Sequence, residues 1–362
     1  MTPSRAATIA ARFPLVARKR PPARPLDARV DRLVRLAETA HRESDPDKAS
    51  MVFNGAALVA SDCGDPHLAR AWCRRHASLY LSQAPLNGYT ARFALEPVVN
   101  LARLRIREDD GDGAYCLLTH LYTAIVGGTS ALLDDLEIHP RQLPADTEEL
   151  SQIISWLRGT LLSDGTRALT LAGRWDEAVT HVRRYDGIGP TLLDGRQVAV
   201  VAHFLRDEGP AAAALLATTK IETPWEQSVH GLLNTWRELA VRAVAVDHAD
   251  LIDRVSAVPR TPGLAVFRVR LGLAALDLSV GLPTDVVDGL IKQLVADAVH
   301  DEDANAARDL INHSTVAAEH QGTLRPLMKA SGLDQGYLPA TASDPLSVAL
   351  DLAGTVIARR RG

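Results

Sequence analysis

The sequence is poor in the residues that usually announce chemistry. It has three cysteines, Cys63, Cys73 and Cys116. They are too few, and odd in number, for a disulfide framework, so a reducing cytoplasm is the expected compartment. Aromatic residues make up 4% of the chain, so a core has to come from Leu, Ala and Val. No apolar run approaches the roughly 20 residues that cross a bilayer, and no membrane contact is expected. Net charge is −4, from 40 basic and 44 acidic residues, which excludes nucleic-acid binding by bulk charge. G-x-G-x-x-G, H-E-x-x-H and G-x-S-x-G are all missing, so neither a catalytic residue nor a cofactor is expected.

What is present is helical periodicity. The 362 residues suit two or three domains or one extended repeat array. Apolar stripes at i, i+3, i+4 and i+7 recur along the chain. Ala49, Val52, Phe53, Ala56, Ala57 and Ala60 form one. Val229, Leu232, Leu233, Trp236, Leu239, Ala240 and Ala243 form the clearest. Strict apolar–polar alternation is almost absent, and the lone strand-like run, Gln197 to Phe204, cannot make a sheet by itself. Asp45-Pro46, Asp65-Pro66 and Asp344-Pro345 each place a capping oxygen before a proline at the first helical position. Thr223-Pro224-Trp225-Glu226 adds a capping box.

Residues 1–25 stand apart. Arg5, Arg12, Arg18, Lys19, Arg20 and Arg24 precede the first acid, Asp27, and Pro21, Pro22 and Pro25 interrupt any helix. A disordered basic arm is the expectation, with contact to an acidic partner as the second reading and a transit peptide as the third.

A turn followed by an Ala-rich helix recurs at Gly64, Gly173, Gly209, Asp247 and Gly281. The last three intervals are close to the length of a helix–turn–helix repeat. Gly173-Arg174-Trp175-Asp176-Glu177-Ala178, with Pro190 beyond, resembles the second helix of a tetratricopeptide repeat. Gly173, Ala178 and Pro190 match the family's turn, packing and stop positions. Leu162, Thr166 and Leu169 depart from its first-helix pattern. The resemblance covers roughly residues 45–300. It implies an all-α, tetratricopeptide-like α-solenoid of stacked antiparallel helix pairs over residues 26–362, with capping helices in 301–362. It also implies a groove that takes a peptide or partner protein. The chain is similar in style to the repeat portions of bacterial regulators and scaffold proteins. It lacks their helix-turn-helix domain, which argues against direct DNA binding.

The remaining clusters each have a plainer reading. Cys63, His67, Cys73 and His76 are soft metal ligands at non-finger spacing, and the cysteines read as small core residues. Asp109-Asp110-Gly111-Asp112-Gly113 lacks the twelfth-position Glu of a calcium loop. Gly127-Gly128-Thr129-Ser130 lacks the lysine of a phosphate loop and reads as a helix end. Arg183, Arg184 and Arg206 could line a groove and take carboxylates, and Trp225 could sit at a repeat edge. The expected function is a protein-interaction or regulatory module. The alternative is a small-molecule-binding or biosynthetic accessory protein whose groove forms a pocket.

Overall fold

The computed structural model describes residues 3–241, 249–279, 282–333 and 335–359. Asp247, Gly281 and the end of the C-terminal arginine run lie outside the described residues, as does the side chain of Ala240. Among the described residues the chain is helical apart from one short hairpin. In order the elements are α1 (Pro3–Ala10), α2 (Leu26–Glu43), α3 (Pro46–Asp62), α4 (Pro66–Leu81), α5 (Gly88–Arg107), α6 (Gly111–Gly127), β1 (Ala131–Leu133), β2 (Leu136–Ile138), α7 (Thr147–Thr160), α8 (Thr166–Leu171), α9 (Trp175–Arg184), α10 (Asp194–Leu205), α11 (Gly209–Ala217), α12 (Pro224–Val241), α13 (Ala249–Ser256), α14 (Ala265–Leu278), α15 (Thr284–His300), α16 (Ala304–Ile311), α17 (Gln321–Ser331) and α18 (Ala340–Ala358).

Local chemistry sets the helix starts. Asp45 accepts from the N–H groups of Asp47 and Lys48, and Asp65 accepts from that of Leu68, each with a proline at the first position. The box at Thr223 is half realised. Glu226 reaches back to the N–H groups of Glu222 and Thr223, but the Thr223 hydroxyl donates to Glu226 instead of capping the backbone. Asp344-Pro345 is no helix start. Pro345 lies inside α18, which begins after Pro339.

Two compact units divide the chain, where one helical array was expected. One joins Pro25–Ala172 to Ser331–Gly362, and the other joins Met1–Arg24 to Gly173–Ala330. The boundary at Ala172–Gly173 falls inside the helix pair that carries the tetratricopeptide resemblance.

In the first of these units, α2 to α6 pack each against the next in sequence, and α18 returns to lie on α2, α3 and α4. Leu33, Phe53, Tyr80 and Leu95 are buried in its core. Gly111 opens α6 against α8. A Cβ there would stand 2.4 Å from the Ala168 carbonyl oxygen and 3.2 Å from the Ala172 Cβ. Gly111→Ala is therefore expected to cost about 1–2 kcal/mol by overpacking, read as a lower urea midpoint with unchanged slope. The hairpin β1–β2 pairs Ala131 with Ile138 and turns at Asp134-Asp135, both at positive φ, as a tight two-residue hairpin turn requires. Its strands alternate buried and exposed, but over three residues each, too short to register as a period.

In the other unit, α9 to α16 likewise pack each on its successor. In addition α10 meets α12, α12 meets α14, and α14 meets α16. These four helices form a layer. The strand-like run at 197–204 belongs to α10, and α10 and α14 are buried on nearly every face. A helix covered all round reads as an unbroken apolar run, which hides its period.

Residues 3–24 are folded, contrary to the expected disordered arm. The helix α1 packs on α10 and α14, and Ile9, Ala10, Phe13, Leu15 and Ala23 are buried. Charge and proline content suggest disorder because the apolar anchors are few and widely spaced. Their partners, and those of the arginines, lie 170 to 280 residues further along the chain.

Candidate functional site

The candidate site is the layer of α10, α12, α14 and α16 together with the segment seated on it. α10 supplies its central clamp. The side chain of Gln197 is fully buried. Its Oε1 accepts from the Leu15 N–H at 2.7 Å, and its Nε2 donates to the Leu15 carbonyl at 2.8 Å. A further bond from Nε2 to the Leu192 carbonyl, 2.7 Å, fixes the amide's orientation. Next to it, Arg196 ties α10 to its surroundings, donating to the carbonyls of Gly189 and Leu215 and to the hydroxyls of Thr218 and Thr219. The clamp therefore stands on a fixed helix.

Apolar anchoring comes from α12. Trp236 is fully buried and lies between Phe13, at a ring-centroid distance of 5.9 Å, and Phe204, at 5.1 Å. Such tilted aromatic contacts add to the burial of the rings themselves.

The ends of α14 and α16 meet the segment with charge and backbone. Asp277, near the end of α14, accepts from Arg12 at 2.8 Å and lies 3.1 Å from His313 Nε2. Burial alone would raise its carboxyl. The bonds from His313 and Arg12 outweigh that and hold it below the usual carboxylate range. Arg5 donates to the carbonyls of Asp277 and Leu278, where the negative end of the helix dipole favours a cation. Arg18 is paired with Asp194. The Gly263 carbonyl accepts from the Arg20 N–H at 3.1 Å. Gly263 has φ +84°, and a Cβ there would stand 3.0 Å from the Arg20 carbonyl oxygen, so glycine permits the close approach. Asp303, the N-cap of α16, accepts from the Ala23 N–H, and the Ala304 N–H donates to the Ala23 carbonyl.

The residues expected to line a groove are placed differently from one another. Arg183 and Arg184 are exposed at the end of α9, with Arg184 over the ring of Tyr185. Arg206 is paired with Asp176 and lies 3.8 Å from Glu208. Trp225 is half-buried and meets Phe267 edge-on at 6.0 Å. No hydrogen bond or ion pair among the described residues joins these four to each other. Sequence reasoning missed Gln197 and Asp277. For Asp277 the available signal was a lone polar residue inside an otherwise apolar run, because a polar group is retained in such a place when it has partners; Gln197, directly after Arg196, carried no such signal.

In the other unit, a surface cleft of about 710 Å³ is lined by Pro85, Gly128, Ser130, His139 and Arg141, among others. Ser130 Oγ is 2.9 Å from His139 Nδ1, and His139 Nε2 is 3.2 Å from Glu137. Ser130 and Glu137 are exposed and His139 is half-exposed. Solvent screens such a chain of bonds, so it lacks the dry, low-dielectric setting that activates a nucleophile. The soft-ligand residues 63–76 do not converge. Burial pushes the thiol of Cys63 up to about 11 and that of Cys73 up to about 12. His76 is buried against Phe53, and His67 is exposed. No metal-holding group of His, Cys, Asp or Glu occurs among the described residues. Asp110 caps α6 through the Gly113 N–H. No helix among the described residues is long and apolar enough to cross a membrane.

Among the described residues the chain is thus an all-α protein with one short hairpin, whose own residues 3–24 pack on the layer of α10, α12, α14 and α16. Comparison with family models, curated proteins and solved structures finds no match to this chain.

Proposed function

We propose that this protein is a cytoplasmic protein-interaction or regulatory module, and that the layer of α10, α12, α14 and α16 is its polypeptide-binding surface. In this reading α9–α16 form a tetratricopeptide-like solenoid of stacked helix pairs. The supporting observation is the Gln197 clamp. A buried amide that binds both the N–H and the carbonyl of one residue recognises main chain, the feature every peptide shares. The small-molecule alternative has the cleft beside Ser130 and His139 in its favour.

The test is capture from native extract with the full-length chain, followed by cross-linking and mass spectrometry. A stoichiometric protein whose cross-links fall on α10, α12 and α14 is the expected result. A copurified metabolite with no protein partner would overturn the reading and favour the cleft. So would a partner cross-linked only to the unit of residues 25–172.

A further inference from the structure

We infer that residues 5–24 are a displaceable resident ligand, and that the layer accepts from a partner protein a basic segment of the same chemistry. That chemistry is an arginine beside an aromatic anchor, with an apolar residue two positions on whose main chain is gripped from both sides. The inference rests on the proposed function and adds to it the partner's class and its competitor.

Connectivity is the first support. Residues 5–24 reach the helices of 173–330 only through the intervening 25–172. No link between successive helices of the layer runs through the segment, so its departure breaks none of them. It is bound to the layer as a tethered peptide is bound.

The second support is the kind of contact. Gln197 holds Leu15, Gly263 holds Arg20, and Asp303 with Ala304 holds Ala23, all through main-chain atoms of the segment. These bonds read conformation and not sequence, so another chain in the same conformation satisfies them equally. Side-chain reading is confined to Ile9, Ala10, Phe13, Leu15 and Ala23, which are buried, and to the arginines.

Charge names the occupant. The surface under the segment presents Asp194, Asp277, Glu302 and Asp303. Facing them, Arg18 pairs with Asp194, Arg12 with Asp277, and Arg24 approaches Glu302 at 4.0 Å. Asp194 is buried, and an acidic or neutral residue in place of Arg18 would strip its carboxylate of its cation. The groove therefore selects a basic segment, and the arm's lack of any acid is what the groove requires. While tethered, residues 5–24 compete at a high effective concentration, so the intact chain holds off weak ligands.

The experiment inserts a specific protease site between Arg24 and Pro25 of the full-length protein. After cleavage, a fluorescein-labelled peptide of residues 3–24 is added and its anisotropy followed. The labelled peptide should exchange in at one per chain. A peptide carrying Phe13→Ala or Arg12→Ala should bind at least about 10-fold more weakly. One with its arginines replaced by glutamate should not bind. The uncleaved protein should bind the peptide poorly, and uncleaved protein carrying Phe13→Ala should bind it better. Cleaved protein that unfolds, or that holds a segment which never exchanges, would make residues 5–24 an integral part of the core and overturn the inference. If the insertion prevents folding, the uncleaved Phe13→Ala protein decides instead, and its failure to take up the peptide overturns the proposal. Failed exchange leaves the capture experiment standing. Exchange without any captured protein sinks only the broader reading.

Discussion

Asp297→Ala is expected to destabilise the unit that contains α14 and α15 by about 3–5 kcal/mol, the usual cost of removing one member of a buried ion pair. Asp297 is 3% exposed and sits on α15. Arg268, on α14 and 5% exposed, donates to its Oδ2 through Nε at 2.7 Å and Nη2 at 2.6 Å. Arg260 approaches the other oxygen at 2.5 Å. Removing the carboxylate strands the Arg268 guanidinium in a site closed to water. Arg260 is half-exposed and can turn to solvent. For a unit of this size the loss corresponds to a fall in Tm of about 10 °C. The pair itself need not stabilise much, because its attraction repays the desolvation of two charges. Combining Arg268→Met with Asp297→Leu should therefore recover most of what Asp297→Ala loses. Thermal melts of the three proteins decide it. A single variant within about 1 kcal/mol of wild type, or a double variant no better than the single one, would show that Arg268 is not trapped as described.

The sequence carried the helices far better than it carried the site. Asp45-Pro46 and Asp65-Pro66 are local signals, complete within four residues, and both cap helices as expected. The stripe around Val229, Leu232, Leu233 and Trp236 is likewise local, and these residues are all buried in α12. The packing order beyond neighbours is not local. Nothing near Ala340 announces that α18 lies on α2, α3 and α4, because any apolar stripe suits any complementary one. The segment 3–24 is the sharpest case. Its arginines are met by Asp194 and Asp277 and its backbone by Gln197, none of them within 170 residues. A basic, proline-containing stretch read alone has no core to join, and disorder is then the reasonable expectation. Gln197 follows Asp194-Gly195-Arg196 as one more polar residue ahead of Val198–Val201, and only the fold shows that it is buried and which backbone it grips.

His76 should make the unit of residues 25–172 and 331–362 acid-sensitive, through a mechanism independent of its ion pairs. The ring is 1% exposed, stacks on Phe53 at 4.9 Å and tilts against Tyr80 at 5.7 Å. Neither ring nitrogen has a hydrogen-bond partner among the described residues. Burial disfavours the charged form and pushes its pKa down from 6.5 to about 3. The unfolded chain therefore binds a proton below about pH 6.5 that the folded chain refuses until about pH 3. Stability falls as pH drops through that window, and the linkage amounts to about 3 kcal/mol between pH 7 and pH 4. His76→Phe removes the titration and keeps the ring stack. It also removes two unsatisfied polar atoms, so a gain of about 1 kcal/mol at pH 7 is expected after some overpacking. Other groups titrate in the same range, so the informative quantity is the difference between the two proteins. Urea unfolding at pH 7 and pH 4, read by pulse-labelling hydrogen exchange on α3–α5 and separately on α10–α14, supplies it. The advantage of the variant should widen by about 3 kcal/mol at pH 4 on α3–α5 and stay constant on α10–α14. A gap on α3–α5 that does not change with pH would mean that the buried ring finds a partner for its proton.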